Sequence, residues 1–591
     1  MCAIFGIVGP YDAHRARLAF MTLAHRGPDD SGIVEEPRLF LAHYRLALID
    51  PLPEARQPMR LEKTIGLFNG EIYNYRQLRE ALKTPFATRS DTEVLIRAFH
   101  RWGDAMPKYV RGMYAAAFWH DNRLWLFRDL FGKKPLYYAQ AGETFIFASE
   151  ARAVAAYLNA EWEKERVKEY LFFQTLLSPR TFYKGISQLE PGASLRFEKG
   201  HITLYPPEPL PAPVLGRTLR TDDLLSLLRR AVDRRLVADA PLGALLSGGI
   251  DSSLIAALAV EQRPKLPTFT IGYDGFDKYD ERPYAAQTAR HIVSDHHEIV
   301  MDKTTFLHAA EALLSHLDEP LADPAAIPLW HLGEKIAAFG VKAVLTGDGA
   351  DELFFGYRPY YEILDVERAG ELKYRNWLRN YFRAHYSPNK EWEWYKRAFG
   401  KTPVFRGSGE LFTDLQQNLT LKQNVKDDTS LEAMAHLVKA FDHAPQGAAW
   451  MSYIDLKTQL TEVYLKKLDR VLMAHALEGR SPFLDRDLAT AVLSTDAGWR
   501  MGERPKWLLK SVAENFLPET ILRRKKKGFS YPFMEWLFEA GEIDRLEDIN
   551  RKLGILRLDA LRFYIERARK GRFKHHLYAL WMLLRWLENR I

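Results

Sequence analysis

Read for its apolar positions, the chain has two halves with different rhythms. The first opens on AIFGIVG (Ala3 to Gly9), a short apolar run ending in glycine that reads as a buried strand. Period-two alternation in RLWLF and TFIFAS predicts more strands. AHYRLALID, FNGEIYN and SDTEVL set polar groups inside or beside apolar strands. Two β-layers with flanking helices fit residues 2–200. Across 201–220 the pattern changes to PPEPLPAPVLG, whose five prolines read as a linker. From 221 to 591 helical spacing takes over. Thr221 is placed to cap a helix, with Asp222 and Asp223 in its first turn and Leu224, Leu228, Val232 and Leu236 at helical intervals. The runs LGALL, TFTIG, HEIVM and KAVLT then alternate with helical stretches, which predicts a parallel sheet of Rossmann-like type. LDEPLADPAAIPLW starts a further helix. The tail, YALWMLLRWLENR, has helical apolar spacing and reads as a terminal helical cap without chemistry.

Bulk properties narrow the function classes. A length of 591 residues exceeds one core, and 47% hydrophobic with 27% charged residues is a globular balance. The net charge of +7 is mild and its basic residues are scattered, so it suits anionic small molecules better than nucleic acid. The N-terminus lacks the basic and apolar regions of a signal peptide, and no run reaches bilayer length. A single cysteine excludes an internal disulfide framework. These features describe a soluble cytoplasmic protein with small-molecule substrates, no nucleic acid and no membrane, with a homodimer as candidate assembly.

The cysteine stands at position 2. A lone cysteine is ordinarily a small buried apolar residue. Removal of Met1 would give Cys2 a free α-amine with a pKa of about 7.7–8.0, beside a thiol near about 8.5. Such an amine can serve as base for its own side chain, with no histidine partner. In the second half, the strand LGALL runs into SGGIDSS (Ser247 to Ser253) and then an apolar helix. Strand, glycine-rich turn and helix point several backbone N–H groups at an anion. Asp251 beside a phosphate site requires a cation between the two. Gly400-Lys401-Thr402 is not a Walker A loop, because Tyr395 stands where a glycine is needed.

Cys2, HRGPDD, NGEIYN, SDTEVL, RDLFGKKPLYY and FASE, in this order, resemble the N-terminal-nucleophile glutaminase domain of the class II amidotransferases, and within it the branch of the glutamine-hydrolysing asparagine synthetases. SGGIDSS, VLTGDGADELFFGY, YLKKLDRVLMAHALEGRSPFLD and RRKKKGFSYPF resemble the ATP pyrophosphatase half of the same family. The resemblance covers roughly residues 2–200 and 220–535. It implies an αββα glutaminase domain (2–200), a linker (201–220) and a Rossmann-like synthetase domain (221–591) with a helical C-terminal region.

The resemblance also implies roles. Cys2 attacks the glutamine amide, and Asn69 with the Gly70 N–H forms an oxyanion hole. Arg45 clamps the glutamine carboxylate, and Glu71 and Asp91 face its amine. Leu246, Ser247, Gly248, Gly249, Asp251, Ser252, Ser253, Ile271, Gly272 and Gly347 surround ATP. Asp251 and Asp351 hold Mg2+, Asp348 faces the attacking amine, and Lys526 stabilises the α-phosphate. Lys467, Asp469, Arg470 and Arg480 fall at recognisable places in the late motif. The implied reaction is ATP-dependent amidation of a carboxylate through an acyl-adenylate, with aspartate as the commonest acceptor, an apolar ammonia channel between the sites, and release of AMP, pyrophosphate and glutamate.

Taken singly, these residues have plainer readings: Arg45 as a surface ion pair, Asn69-Gly70 as a hairpin turn, Asp91 as a helix N-terminal acid, and Lys525 and Lys527 as solvated charges. Phe355, Tyr44 and Gly479 depart from the commonest family pattern, and Phe355 follows the acidic loop. They leave open a different acceptor, such as a sugar uronic acid or an envelope or natural-product acid. A non-catalytic descendant is opposed by the intact Cys2, Arg45, Asn69, Asp251, Asp351 and Lys526. An RNA-binding role has only the high isoelectric point behind it.

Overall fold

The computed structural model describes residues 2–385, 387–423, 429–441, 443–526, 528 and 530–590. The first half is built on the strand Ala3–Val8, whose six residues are all buried. Ala3, Phe5 and Ile7 pack with Phe20, Phe40 and Val154, while Ile4 and Val8 pack with Leu41, Leu67 and Leu126 on the opposite face. Burial on both faces is why the run lacks polar alternation. The strand lies inside a six-stranded antiparallel sheet, between Leu39–Arg45 and Thr144–Ala148. A second six-stranded antiparallel sheet contains Thr64–Ile72, Gly112–His120 and Arg123–Arg128. Helices Ala13–Met21 and Ala151–Leu158 cover the first sheet, and Tyr75–Leu82 and Asp91–Trp102 cover the second. This is the expected four-layer αββα stack. The second sheet includes His201–Tyr205, paired with Ser194–Glu198, so the chain leaves it only after Tyr205.

The third sheet has five parallel strands, ordered Asp295–Met301, Pro267–Tyr273, Leu242–Leu245, Ala343–Leu345, Glu478–Arg480. In chain order this is the doubly wound arrangement, reversing between Leu242–Leu245 and Ala343–Leu345, where ligands bind at the carboxyl ends of the strands. The four strands read from LGALL, TFTIG, HEIVM and KAVLT are present. The fifth was not anticipated: three residues, two of them charged, carry no strand signal. Helix Thr221–Arg235 starts at Thr221, with Arg220 in the cap position and no side-chain cap, so Thr221 opens the helix without capping it.

The tail is core rather than cap. Helix Lys574–Glu588 buries eleven consecutive residues, Leu577 to Leu587. The Tyr170 hydroxyl donates to the Ala579 carbonyl at 2.9 Å, and Trp586 Nε1 donates to the Leu317 carbonyl at 3.0 Å. A helix apolar on every side has to be surrounded, and this one sits against both halves of the chain.

Buried charges join the halves. Arg26 is fully buried; its Nη1 donates to Glu150 at 2.8 Å and to Asp469 at 2.9 Å, and its Nη2 to Asp469 at 3.1 Å. Lys134 reaches Asp469 at 3.3 Å, and Arg470 Nη1 donates to the Ser149 carbonyl at 3.3 Å. Lys466 pairs with Glu319, whose other oxygen accepts from the Phe182 amide. The late motif thus works here as a docking surface for HRGPDD and FASE.

Trp586→Ala is expected to cost about 3–5 kcal/mol, as large-to-small core changes do. Trp377→Ala, at a 66% exposed position, should change stability by less than about 0.5 kcal/mol. Urea unfolding of the two variants checks the difference.

Candidate active sites

The first site gathers around Cys2. Its main-chain nitrogen donates to Asn69 Oδ1 at 3.2 Å, and its sulfur lies 4.0 Å from the Leu46 carbonyl oxygen. Burial pushes the thiol up, while the positive chain terminus, the Leu46 contact and Arg45 pull the other way. Asn69 sits inside the strand Thr64–Ile72, not in a hairpin turn. Its Nδ2 is buried with no partner among the described residues, a free donor beside the thiol. Gly70 has φ +151, and an added Cβ would fall 2.0 Å from the Met113 carbonyl oxygen, so only glycine fits.

Arg45 ends the strand Leu39–Arg45 and is buried, so it is not a surface ion pair. The carbonyls of Leu52, Ile49 and Asp50 hold its Nη atoms, and it pairs with no carboxylate among the described residues. That leaves a braced guanidinium with its charge available. Asp91 is the first residue of helix Asp91–Trp102, and its Oδ2 accepts from the Ile72 amide at 3.0 Å. Burial pushes Asp91 up to about 7 against that amide. Glu71 is also pushed up by burial. Its Oε2 has no hydrogen bond but lies 3.4 Å from Arg480 Nη2 of the second half.

The second site is a cavity of about 700 Å3 at the carboxyl ends of Leu242–Leu245 and Ala343–Leu345. Leu246, Ser247, Gly249, Asp251, Ser252, Ile271, Gly347, Asp348, Asp351 and Lys526 line it. Of the residues expected around ATP, Gly248, Ser253 and Gly272 do not. Each has a supporting place instead. Gly248 is left-handed at φ +67, with Tyr284 Cβ 2.6 Å from where its own Cβ would be. Ser253 is fully buried behind the loop, and Gly272 leaves room for the Arg282 side chain. The loop is cross-braced by the Ser247 and Ser252 hydroxyls at 2.9 Å, and helix Ile250–Gln262 starts directly after it.

The charges in this cavity converge. Lys506 Nζ lies 2.5 Å from Asp251 Oδ2 and 2.5 Å from Asp351 Oδ1. Lys526 also pairs with Asp351 Oδ1, and lies 4.2 Å over the Tyr357 ring. Burial pushes both carboxyls up, but the two lysines outweigh it at Asp351, whose carboxyl is held below its ordinary value. Asp251 Oδ1 remains buried and unpaired. Two facing carboxylates, an orphaned oxygen and a glycine-rich loop fit a divalent cation shared with phosphate oxygens, as Mg2+ is commonly held.

Asp348 accepts from the Thr346 hydroxyl at 2.6 Å, and burial raises its carboxyl. Lys467 pairs with Asp323 at 2.6 Å on the cavity wall. Lys525 is exposed, as a solvated charge should be, and stands at the border of the cavity; Lys527 lies outside the described residues.

Several lining residues were not legible. Lys506 has a left-handed backbone, φ +57, in an unremarkable RPKWLLK. Glu352, pushed up to about 8 by burial and by Asp351, accepts from the Tyr357 hydroxyl at 2.7 Å. The π-helix Gln459–Leu465 contributes Gln459 and Tyr464, and π-helical turns are frequent at functional sites. Arg524 donates to the Gly248 carbonyl at 3.1 Å and pairs with Glu281. GKT lies where helix Lys390–Gly400 ends, with no strand before it, as its reading as chance required.

The departures from the common pattern lie off the cavity. Phe355 is fully buried against Tyr360, ring centroids 5.6 Å apart, and does not line the cavity. Tyr44 stacks on Phe20 at 4.0 Å. Gly479 has Leu468 side-chain atoms 2.6 Å from where a Cβ would stand.

Comparison with known proteins agrees with this geometry. Residues 223–588 match the asparagine synthase family model, and residues 1–206 match the glutamine amidotransferase domain model. Asparagine synthetase (glutamine-hydrolysing) 1 of Bacillus subtilis is 32% identical over 87% of this chain and 83% of its own. Asparagine synthetase (glutamine-hydrolysing) 3 of the same organism is 30% identical over 86% and 82%, and a third such relative, from Arabidopsis thaliana, is 27% identical over 90% and 78%. With both domain types matched in order and a relative aligned along most of both chains, this chain belongs to the family of glutamine-hydrolysing asparagine synthetases.

Proposed function

We propose that this chain releases ammonia from glutamine at Cys2 and, with ATP, converts aspartate to asparagine through an acyl-adenylate. The observation that carries the reading is the convergence of Asp251 and Asp351 on one cation position beside SGGIDSS, at the switch point of the parallel sheet. Phe355 points into the core and leaves the cavity wall unaltered, so the departure that opened the question of another acceptor does not reach it.

In the first site the Cys2 sulfur bonds to the glutamine amide carbon. With Met1 removed, the α-amine takes the thiol proton and passes it to the departing ammonia. Asn69 Nδ2 and the Gly70 N–H receive the oxyanion. Arg45 holds the α-carboxylate, and Asp91 and Glu71 the ammonium. Water then hydrolyses the thioester to glutamate. Met473 joins Leu46, Leu48, Tyr73 and Met113 in one apolar cluster between the halves, a dry path suited to neutral ammonia.

In the second site the acceptor carboxylate attacks the ATP α-phosphorus and pyrophosphate leaves. Lys506, Lys526 and the loop amides stabilise the charge on the phosphates. A Mg2+ ion held by Asp251 and Asp351 would neutralise the pyrophosphate. Asp348, raised by burial, faces the incoming amine, and ammonia displaces AMP from the acyl carbon.

Pyrophosphate release with ATP, Mg2+ and ammonium tests the acceptor: aspartate should drive it and yield asparagine. Silence with aspartate and release with a sugar acid would move the acceptor and keep the reaction. Asp251→Asn and Asp351→Asn should each slow release roughly 100- to 1000-fold.

Cys2→Ala should abolish the glutamine-driven reaction and leave the ammonium-driven one. Simultaneous loss of both activities would contradict this division of labour. Asp469→Asn, which weakens the brace on Arg26, should lower glutamine-driven synthesis at least about tenfold more than ammonium-driven synthesis.

Asp91 has to be anionic to hold an ammonium, and its carboxyl titrates at about 7. Lowering the pH through that value protonates it, so KM for glutamine should rise as pH falls from 8 to 6. In Asp91→Asn, KM should be raised throughout and lose that slope.

A further inference from the structure

A second cavity, of about 310 Å3, lies under the proline-rich segment that follows the glutaminase sheet. Pro206, Pro207, Pro209, Pro211 and Pro213 form its roof. Proline offers no N–H to a neighbour and favours extended backbone, so such a segment spans a gap without filling it. It is tied down near both ends. Glu208 pairs with Arg486, the Val214 amide donates to the Ser494 carbonyl at 3.1 Å, and the Gly216 amide donates to Asp496 at 3.0 Å. A strap clamped over a void is a construction distinct from a flexible tether.

The walls combine apolar side chains with two separate cations, Arg500 and Lys457, and with the carboxyls of Glu190 and Glu208. Leu177, Leu437, Leu456 and Leu493 give the cavity an apolar lining. Arg500 is 2% exposed, yet it pairs with no carboxylate among the described residues. Of its guanidinium, only Nη1 has a hydrogen-bond partner, the Val492 carbonyl at 3.3 Å, and Nε is buried and unsatisfied. Lys457, the last residue of helix Gly447–Lys457, also lines the cavity and makes no ion pair among the described residues. Burial pushes its ammonium down to about 8, with Glu190 only partly opposing. An uncompensated buried arginine is costly to a fold, and Nη2 of Arg500 has no hydrogen-bond partner among the described residues.

We propose that this cavity is a binding site for a small organic carboxylate, with its apolar body under the proline strap and its carboxylate against Nη2 of Arg500. The volume is at the lower end of small-molecule pockets, which limits the ligand to a compact monocarboxylate. The site also touches the catalytic cavity indirectly. Arg500 lies 4.7 Å over the ring of Phe355, which ends helix Ala350–Phe354, the carrier of Asp351 and Glu352. A ligand that draws Arg500 off that ring changes the support of the acidic loop. This second consequence rests on the reaction proposed above, whereas binding does not.

Calorimetric titration of the full chain with hexanoate and with 3-phenylpropionate tests the site without turnover. Hexanol and inorganic phosphate serve as the neutral and the non-carboxylate probes. One carboxylate should bind saturably, one per chain, with hexanol and phosphate silent. Arg500→Met should weaken that binding at least about tenfold. Arg500→Met should also raise the unfolding midpoint of the ligand-free protein, because it removes an unpaired buried charge. Absence of saturable binding by either carboxylate would overturn the proposal. So would binding that survives Arg500→Met, which places the probe in the catalytic cavity, or a preference for phosphate.

Discussion

Arg26 is a guanidinium with no access to water, and such a charge is tolerable only where carboxylates surround it. One of them, Asp469, comes from 443 residues further along the chain. The same arginine donates through Nε to the Cys2 carbonyl at 3.2 Å. One side chain therefore ties the Cys2 main chain to the second half of the molecule. Buried ion pairs of this kind contribute little net stability over an apolar contact. Their effect is on register, since any other docking of the halves takes Arg26 and Lys134 away from Asp469. The apolar cluster beside Cys2 is aligned only because that register is met.

The catalytic cavity follows a related logic with the opposite end. Asp251 and Asp351 face each other across a gap that Lys506 bridges, and Lys526 adds a second ammonium to Asp351. The arrangement balances charge while holding two cations ready for phosphates. On the proposed reaction, a nucleotide with its metal would replace one set of partners by another, so binding need not open a new charge imbalance. Gly356 is part of this economy of space, since a Cβ there would collide with Asp351 Oδ1 at 1.8 Å.

Much of this was legible from residue patterns. The doubly covered strand Ala3–Val8 announced itself as an uninterrupted apolar run, and SGGIDSS marked the switch point because strand, glycines and helix follow one another within a few residues. What escaped had long-range causes. Glu478–Arg480 is a strand by its neighbours alone. Lys506 and Arg500 are lysine and arginine in ordinary helical surroundings, and only the fold shows one sharing two carboxylates and the other lacking any. Gly248, Ser253 and Gly272 belong to the segments at the cavity but are not among its lining residues, a distinction of facing that spacing does not encode. The tail misled because an apolar helix near a chain end resembles a lid, although burial on every side makes it a centre.

That last helix has a bearing on how the protein is made. Lys574–Glu588 is synthesised after every element it packs against, including Tyr170 and Phe182 from the first half. The two antiparallel sheets need nothing beyond Tyr205 and can close while the ribosome is still at work. The apolar surfaces that this helix covers have to wait, uncovered, until residues 574–588 emerge. Chaperone capture during that interval, and rapid degradation of chains cut short by a late stop codon, are the biological signatures that this placement of a single helix entails.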